Sequence, residues 1–130
     1  MFRQKQFYLN GLVWKIRVVN HRNSMLMDRT GTFTVATTDP ITRTVYLSSD
    51  LHNGMLVKVL IHELGHCAMI SFNLIEDIHR MVKPEYWFEA EEWLCNFLSD
   101  YGLKIFSIAY SLLGEDAFDY VIYRFERMIA

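Results

Sequence analysis

Two histidines and a glutamate lie within the five residues HELGH, at positions 62–66 of the chain. His62 and His66 are four residues apart, so on an α-helix both imidazoles project from the same face, one turn apart, and can bind one metal ion. Glu63 would lie beside that ion, where it can take a proton from a metal-bound water. Zinc lowers the pKa of such a water from about 15.7 to about 7. The spacing therefore predicts a hydrolytic zinc site in which Glu63 is the general base.

The alternative for two helical histidines is a half-exposed, hydrogen-bonded pair that binds no metal. The motif, however, lies inside the apolar run MLVKVLIHELGHCAMISF, and polar groups in apolar surroundings need a compensating partner. Gly65 also lowers the helix propensity by about 1 kcal/mol, which a bare backbone beside a bound ion would explain. The sequence therefore favours metal binding by His62 and His66.

A catalytic zinc needs a third protein ligand and an open position for water. The segment EAEEWLCNFLSDYG, about one helix downstream, offers Glu89, Glu91 and Glu92. We favour Glu92, because its helical face continues through Cys95 and further small residues that would let the two helices approach closely. Asn96, four residues after Glu92, is placed to hydrogen-bond a metal ligand. Glu91 remains an alternative third ligand because its helical face also turns inward, whereas Glu89 is expected on a solvated face.

The two cysteines of the chain, Cys67 and Cys95, both fall in apolar helical patterns. We therefore expect reduced, packed thiols and no disulfide. A purely structural zinc site usually has four protein ligands, often cysteines, and the sequence offers three convincing ones. Cys67 follows His66 directly, about 100° away from the ligand face of the helix, so we do not expect it to reach the ion.

The composition indicates one globular domain spanning residues 1–130. Hydrophobic residues make up 52% and charged residues 22% of the chain, which suits a single hydrophobic core. A chain of 130 residues is too short for two domains. The net charge of −2 gives no electrostatic reason to bind nucleic acid or an anionic membrane. The N-terminal MFRQKQFYLNG lacks the features of a secretory signal, and LKIFSIAYSLL is too short to cross a bilayer. We therefore expect a cytoplasmic protein.

The elements that must position the motif form an α+β arrangement. The first third of the sequence predicts two β-hairpins in a small, twisted, mostly antiparallel sheet. The first hairpin pairs KQFYL with LVWKIRVV around the turn Asn10-Gly11, and the second pairs TFTVATT with RTVYLSS around DPIT. From residue 51 the apolar period changes to about 3.6, which predicts three to four helices. Asn53 or Asp50 would cap the first helix, Pro84 would begin the next and Gly114 would end the third element. EDAFDYVIYRFERMIA is expected to form a last amphipathic helix.

Three segments together carry a family resemblance: TVYLSSDL, LIHELGHC and EEWLCNFL. They resemble the minimal zincin metallopeptidase core, and most resemble small phage-associated metallopeptidases related to the ImmA/IrrE-type metallo-endopeptidases. The resemblance covers roughly residues 31–102 and implies two zinc-binding histidines, His62 and His66, with Glu63 as general base. It also implies Glu92, three positions before the small Cys95, as the third ligand. Cys95 and its neighbour Asn96 stand where relatives often have Ala-Asn.

The resemblance implies one zinc ion as cofactor and a protein or peptide as substrate. Family members often cleave repressors or regulatory proteins, and zincins commonly bind substrate as an extra strand at a sheet edge, which RTVYLSS would provide here. The alternative function is a phage or mobile-element protein that keeps the zincin scaffold and docks on a host protein without cleaving it. The small size and the 15% aromatic content of the chain would suit such a contact surface.

Overall fold

The computed structural model describes residues 1–119, and the chain divides into two compact units, Met1–Asp100 and a C-terminal unit that begins at Tyr101. A four-stranded sheet forms first and helices follow it, so the predicted α+β class is confirmed. The expectation of a single domain over residues 1–130 stays a prediction. Each unit is described by itself below.

The sheet contains two hairpins. Strands β1 (Gln4–Leu9) and β2 (Leu12–Val19) are antiparallel, and Asn10 and Gly11 join them with positive φ angles of 50° and 77°, as a tight turn between twisted strands requires. Strands β3 (Ala36–Asp39) and β4 (Thr44–Ser48) form the second antiparallel hairpin. The sheet order is β1-β2-β4-β3, with β2 and β4 parallel, so the sheet is mixed, with antiparallel pairing in two of its three strand pairs.

The prediction that RTVYLSS is a sheet edge is wrong. All five residues of β4 are buried, because the strand pairs with β2 on one side and β3 on the other. The end strand on this side is β3, which is shorter than predicted. Strand β3 begins only at Ala36 because Thr34 is bonded elsewhere. The backbone N–H of Thr34 donates to the carbonyl of Leu26, and the Thr34 hydroxyl bonds the backbone of Ala36, so Thr34 does not join the ladder with β4.

Helix α1 (Asn53–Ser71) carries the HELGH motif. Its N-cap is His52, and neither Asn53 nor Asp50 caps it, because Asn53 already lies inside the first turn and the His52 backbone is extended. The other end of α1 is fixed to the first hairpin: the indole Nε1 of Trp14 donates to the hydroxyl of Ser71 at 2.8 Å, in a buried position. Trp14 also belongs to the core between sheet and helix, together with Ile16, Val45, Leu47, Leu51 and Cys67.

Helices α2 (Ile75–Met81) and α3 (Trp87–Phe97) pack against the second half of α1. A 3₁₀ turn, Pro84–Tyr86, begins with the predicted proline and leads into α3. One π-helical turn, Leu98–Gly102, follows α3. The small core of this layer contains Met69 from α1, Ile78 from α2 and Cys95 from α3. The helix that carries the predicted third ligand is thereby held against the helix that carries the histidines.

The C-terminal unit contains helix α4 (Leu103–Leu113). Gly114, at φ 62°, ends α4 as predicted, and a 3₁₀ turn, Gly114–Phe118, follows. Most of the predicted last helix, including Arg124 and Arg127, lies outside the described residues. No single described helix has the length and hydropathy of a bilayer span; α1 and α2 reach it only when counted together, across a bend of 86°.

Candidate metal centre

Helices α1 and α3 approach each other closely where Gly65 faces Cys95. A Cβ atom added at Gly65 would lie 3.0 Å from the Cys95 sulfur and 3.2 Å from a methyl carbon of Leu98. Cys95 is fully buried, so the close approach predicted from the small residues of α3 is confirmed at this position. The glycine between the two histidines therefore has a packing role that the sequence reading did not include.

Gly65→Ala is expected to destabilise the protein. Overpacking a buried contact costs about 1–3 kcal/mol, and the gain in helix propensity returns about 1 kcal/mol, so we expect the free energy of unfolding to fall by about 1 kcal/mol in urea titrations. Gly54→Ala is the matched control, because Gly54 lies in the same helix and nothing approaches its Cβ position within 4 Å. Equal effects of the two substitutions would contradict the packing role of Gly65.

Three side chains converge between α1 and α3. The Nε2 atoms of His62 and His66 lie 3.2 Å apart. One carboxylate oxygen of Glu92 lies 2.9 Å from His66 Nε2, and the other lies 3.4 Å from His62 Nε2. The predicted trio of His62, His66 and Glu92 is thus brought together by the fold.

These distances fit a metal ion bound by the three residues. In a tetrahedral zinc site with metal–ligand distances of about 2.0–2.1 Å, neighbouring donor atoms are about 3.3 Å apart. The three observed separations, from 2.9 to 3.4 Å, cluster around that value. Two neutral imidazoles and a carboxylate are also a donor set that zinc prefers. The arrangement needs little adjustment to accept the ion.

Glu91 contacts the same histidine from the other side. Its carboxylate lies 2.8 Å from Nδ1 of His66, whereas Glu92 meets Nε2. A carboxylate on the second ring nitrogen fixes the orientation of a metal-binding histidine and increases its basicity. The two glutamates therefore have different positions: the favoured Glu92 lies at the convergence of donors, and the alternative Glu91 lies behind His66.

The electrostatics of the centre favour positive charge. Burial lowers the pKa of His66, but hydrogen bonds with Cys95, Glu91 and Glu92 outweigh it and raise the pKa to about 12. A hydrogen bond with Glu92 raises the pKa of His62 against the opposing effect of burial. Hydrogen bonds from His62 and His66 hold the pKa of Glu92 well below its ordinary value. A divalent cation held here would supply the positive charge that the neighbouring carboxylates favour.

Cys95 is a possible donor that the sequence analysis did not consider. Its sulfur and one nitrogen each of His62 and His66 all lie within 4.8 Å of one another. The spacing in the sequence could have indicated this donor, because Cys95 is three residues after Glu92 and so lies on the same face of the helix. Cys67, by contrast, is buried in the core that faces the sheet, where burial raises the pKa of its thiol to about 12. This position agrees with the expectation that Cys67 lies off the ligand face.

The predicted general base, Glu63, lies on the sheet side of the donor cluster. Its side chain is 7% exposed, and one of its carboxylate oxygens, Oε2, accepts a hydrogen bond of 2.5 Å from the hydroxyl of Thr38. Thr38 belongs to the end strand β3. Sequence reasoning missed Thr38, because the pairing depends on a contact between residues 25 positions apart.

A cleft of about 230 Å³ opens beside Glu63 and His62. The cleft is lined by the segment 34–36, by Met55, Lys58 and Val59 of α1, by Asn96 of α3 and by Ser99 of the π-helical turn. Asn96 therefore lies on the cleft, and its hydrogen bond to a metal ligand stays a prediction. The cleft gives a ligand direct access to the side of the centre where Glu63 lies.

The remaining histidines lie outside this cluster. His52 is the N-cap of α1, His21 lies 3.6 Å from Asp50, and the His79 ring stacks on Trp87 at 3.7 Å between centroids. No protein-family model matches the chain, and no curated protein matches it either.

Proposed function

We propose that the protein is a zinc-dependent metallopeptidase that hydrolyses a peptide bond. The observation that carries this proposal is the convergence of His62, His66 and Glu92 donor atoms within 2.9–3.4 Å of one another, beside a cleft that also contains Glu63. The proposal includes a relationship to the phage-associated ImmA/IrrE-type enzymes, and it places the protein in the cytoplasm because both cysteines are free and buried.

His62, His66 and Glu92 would hold the ion, and Glu91 would orient His66. When bound, zinc supplies Lewis-acid polarisation of a carbonyl and a water with a pKa near 7. Three protein donors leave the open coordination position that catalysis needs.

Glu63 would move the proton. Its Oε2 atom is engaged by Thr38, which leaves Oε1 to take a proton from the attacking water and to return it to the leaving amine. Thr38 fixes which oxygen is available.

An extended peptide is the substrate shape that the sheet favours. Strand β3 is an end strand of the sheet, and the segment that enters it, 34–36, lines the cleft. A peptide added beside β3 would satisfy exposed backbone groups by strand addition and would pass Glu63. This assignment moves the proposed substrate edge from β4 to β3.

The test is a metal analysis followed by a digestion. Protein purified without a histidine tag should contain about one zinc per chain by mass spectrometry of the metal, and a peptide library should show cleavage products that a chelator suppresses and added zinc restores. A chain that binds no zinc, or products that persist after complete zinc removal, would contradict the proposal.

Thr38→Val is expected to lower kcat about 10-fold while KM and zinc content change little. The substitution removes a hydrogen bond to a carboxylate, which is worth about 1.5 kcal/mol or more, and keeps the shape of the side chain. Thr38→Ser retains the hydroxyl and should recover most of the rate. If the valine and serine variants lose activity equally, the hydroxyl does not position Glu63.

A second candidate function is docking on another protein without cleavage. The observation in its favour is an exposed aromatic pair on α3: Trp93 is 67% exposed and stacks on Phe97 at 5.7 Å between ring centroids. Aromatic residues are enriched at protein interfaces. A partner that is retained intact, and whose binding survives Glu63→Gln but not Trp93→Ala, would favour this candidate.

A further inference from the structure

Cys95 lies on the face of α3 that packs against the histidine motif of α1. It follows Glu92 by three residues, so the thiol and the carboxylate project from the same helical face. Its sulfur lies 3.0 Å from the Cβ position of Gly65, the residue between the two histidines. The side chain has no exposed surface, so the sulfur reaches the cluster from the protein interior, away from the cleft.

The position of the sulfur suits coordination after a small movement. A tetrahedral zinc ion with a Zn–S distance of about 2.3 Å and a Zn–N distance of about 2.0–2.1 Å places sulfur and nitrogen about 3.6 Å apart. The sulfur and one nitrogen of each histidine lie within 4.8 Å of one another. A rotation of the Cys95 side chain that moves the sulfur by roughly 1 Å would complete the geometry.

We propose that Cys95 is a fourth metal donor, which closes the centre in the resting protein and is displaced when substrate enters from the cleft. This inference rests on the proposed function and adds a latent state to it. On coordination the zinc–sulfur bond forms, the thiol proton passes to solvent and one solvent molecule leaves the ion. Four protein donors are the arrangement of structural zinc sites, which have no open position.

Release of the sulfur reopens the centre. A substrate carbonyl oxygen from the cleft side would take the place of the sulfur, the sulfur would regain a proton from solvent, and His62, His66 and Glu92 would remain as the protein donors. Because thiolate is a soft ligand, this fourth donor also favours zinc over magnesium or manganese.

The test is the absorption spectrum of the cobalt-substituted protein. Thiolate coordinated to Co²⁺ gives an intense charge-transfer band in the near ultraviolet, whereas nitrogen and oxygen donors give only the weaker visible bands. We expect the charge-transfer band in the wild-type protein and in Cys67→Ala, and its loss in Cys95→Ala and Cys95→Ser with the visible bands retained. We also expect zinc affinity to fall about 10-fold or more in Cys95→Ala, measured against a chelator.

Each outcome is decisive. A wild-type spectrum without the sulfur band overturns the fourth donor and leaves the peptidase proposal standing. A band that survives in Cys95→Ala but disappears in Cys67→Ala overturns the assignment to Cys95. If no cobalt band of either kind is seen in the wild type, the fourth donor and the metal centre are both wrong. The wild-type spectrum decides even if a Cys95 variant fails to fold, and Cys95→Ser keeps the side-chain volume.

Discussion

Glu63→Gln should reduce peptide cleavage by about 10²–10⁴-fold, the range contributed by a positioned general base, while the zinc content stays at the wild-type level. The amide has the size of the carboxylate and can still accept the hydrogen bond from Thr38, but it cannot hold the proton of the attacking water. The measurement is the initial rate on the best peptide from a library digestion, with bound zinc determined on the same samples.

Glu89→Gln is the matched control for this result. It makes the same chemical change at a glutamate that is exposed on α3, and it should leave both rate and zinc content unchanged. Cleavage that is undiminished in Glu63→Gln would remove the glutamate from the chemistry. Equal losses in both variants would show that the rate responds to charge in general and not to a base at position 63.

Glu92→Gln and Glu91→Gln should weaken zinc binding by different amounts. Glu91 lies behind His66, and losing an outer carboxylate of this kind typically costs 10–100-fold in metal affinity. Glu92 lies at the convergence of donors, 2.9 Å from one histidine nitrogen and 3.4 Å from the other, so its loss should exceed 100-fold because an anionic ligand disappears. Competition with a chromophoric chelator measures both constants.

The two glutamates are neighbours on one helix, so each variant is the control for the other. Both remove one negative charge within the same environment, and any non-specific electrostatic effect should be similar. If Glu91→Gln weakens binding more than Glu92→Gln, the third ligand is Glu91. If Cys95 binds zinc as proposed, Glu92→Gln should still bind detectable metal through the remaining three donors.

The parts of the fold that sequence patterns specify locally were predictable. The Asn10-Gly11 turn, the strand alternation of the first hairpin and the glycine that ends α4 each depend on the conformational preferences of adjacent residues. The two histidines share a face because helical geometry alone fixes their relation. Their proximity to Glu92 was predictable only as far as small residues on α3 signalled close packing.

The rest depended on contacts between distant parts of the chain. The parallel pairing of β2 with β4 buries β4 and makes β3 the end strand, and no local pattern distinguishes a central strand from an edge one when both are short and β-branched. The same pairing brings Thr38 to Glu63. The separate roles of Glu91 and Glu92 depend on the rotation of α3 about its axis, which the contact between Gly65 and Cys95 determines.

An anomalous-difference map from a crystal grown with zinc, recorded on both sides of the zinc absorption edge, tests the metal centre most directly. The account predicts one strong peak between α1 and α3, about 2.0–2.2 Å from Nε2 of His62, Nε2 of His66 and a carboxylate oxygen of Glu92. A crystal with ample zinc and no peak at this position, or a peak held by other side chains with the two imidazoles turned apart, would contradict it.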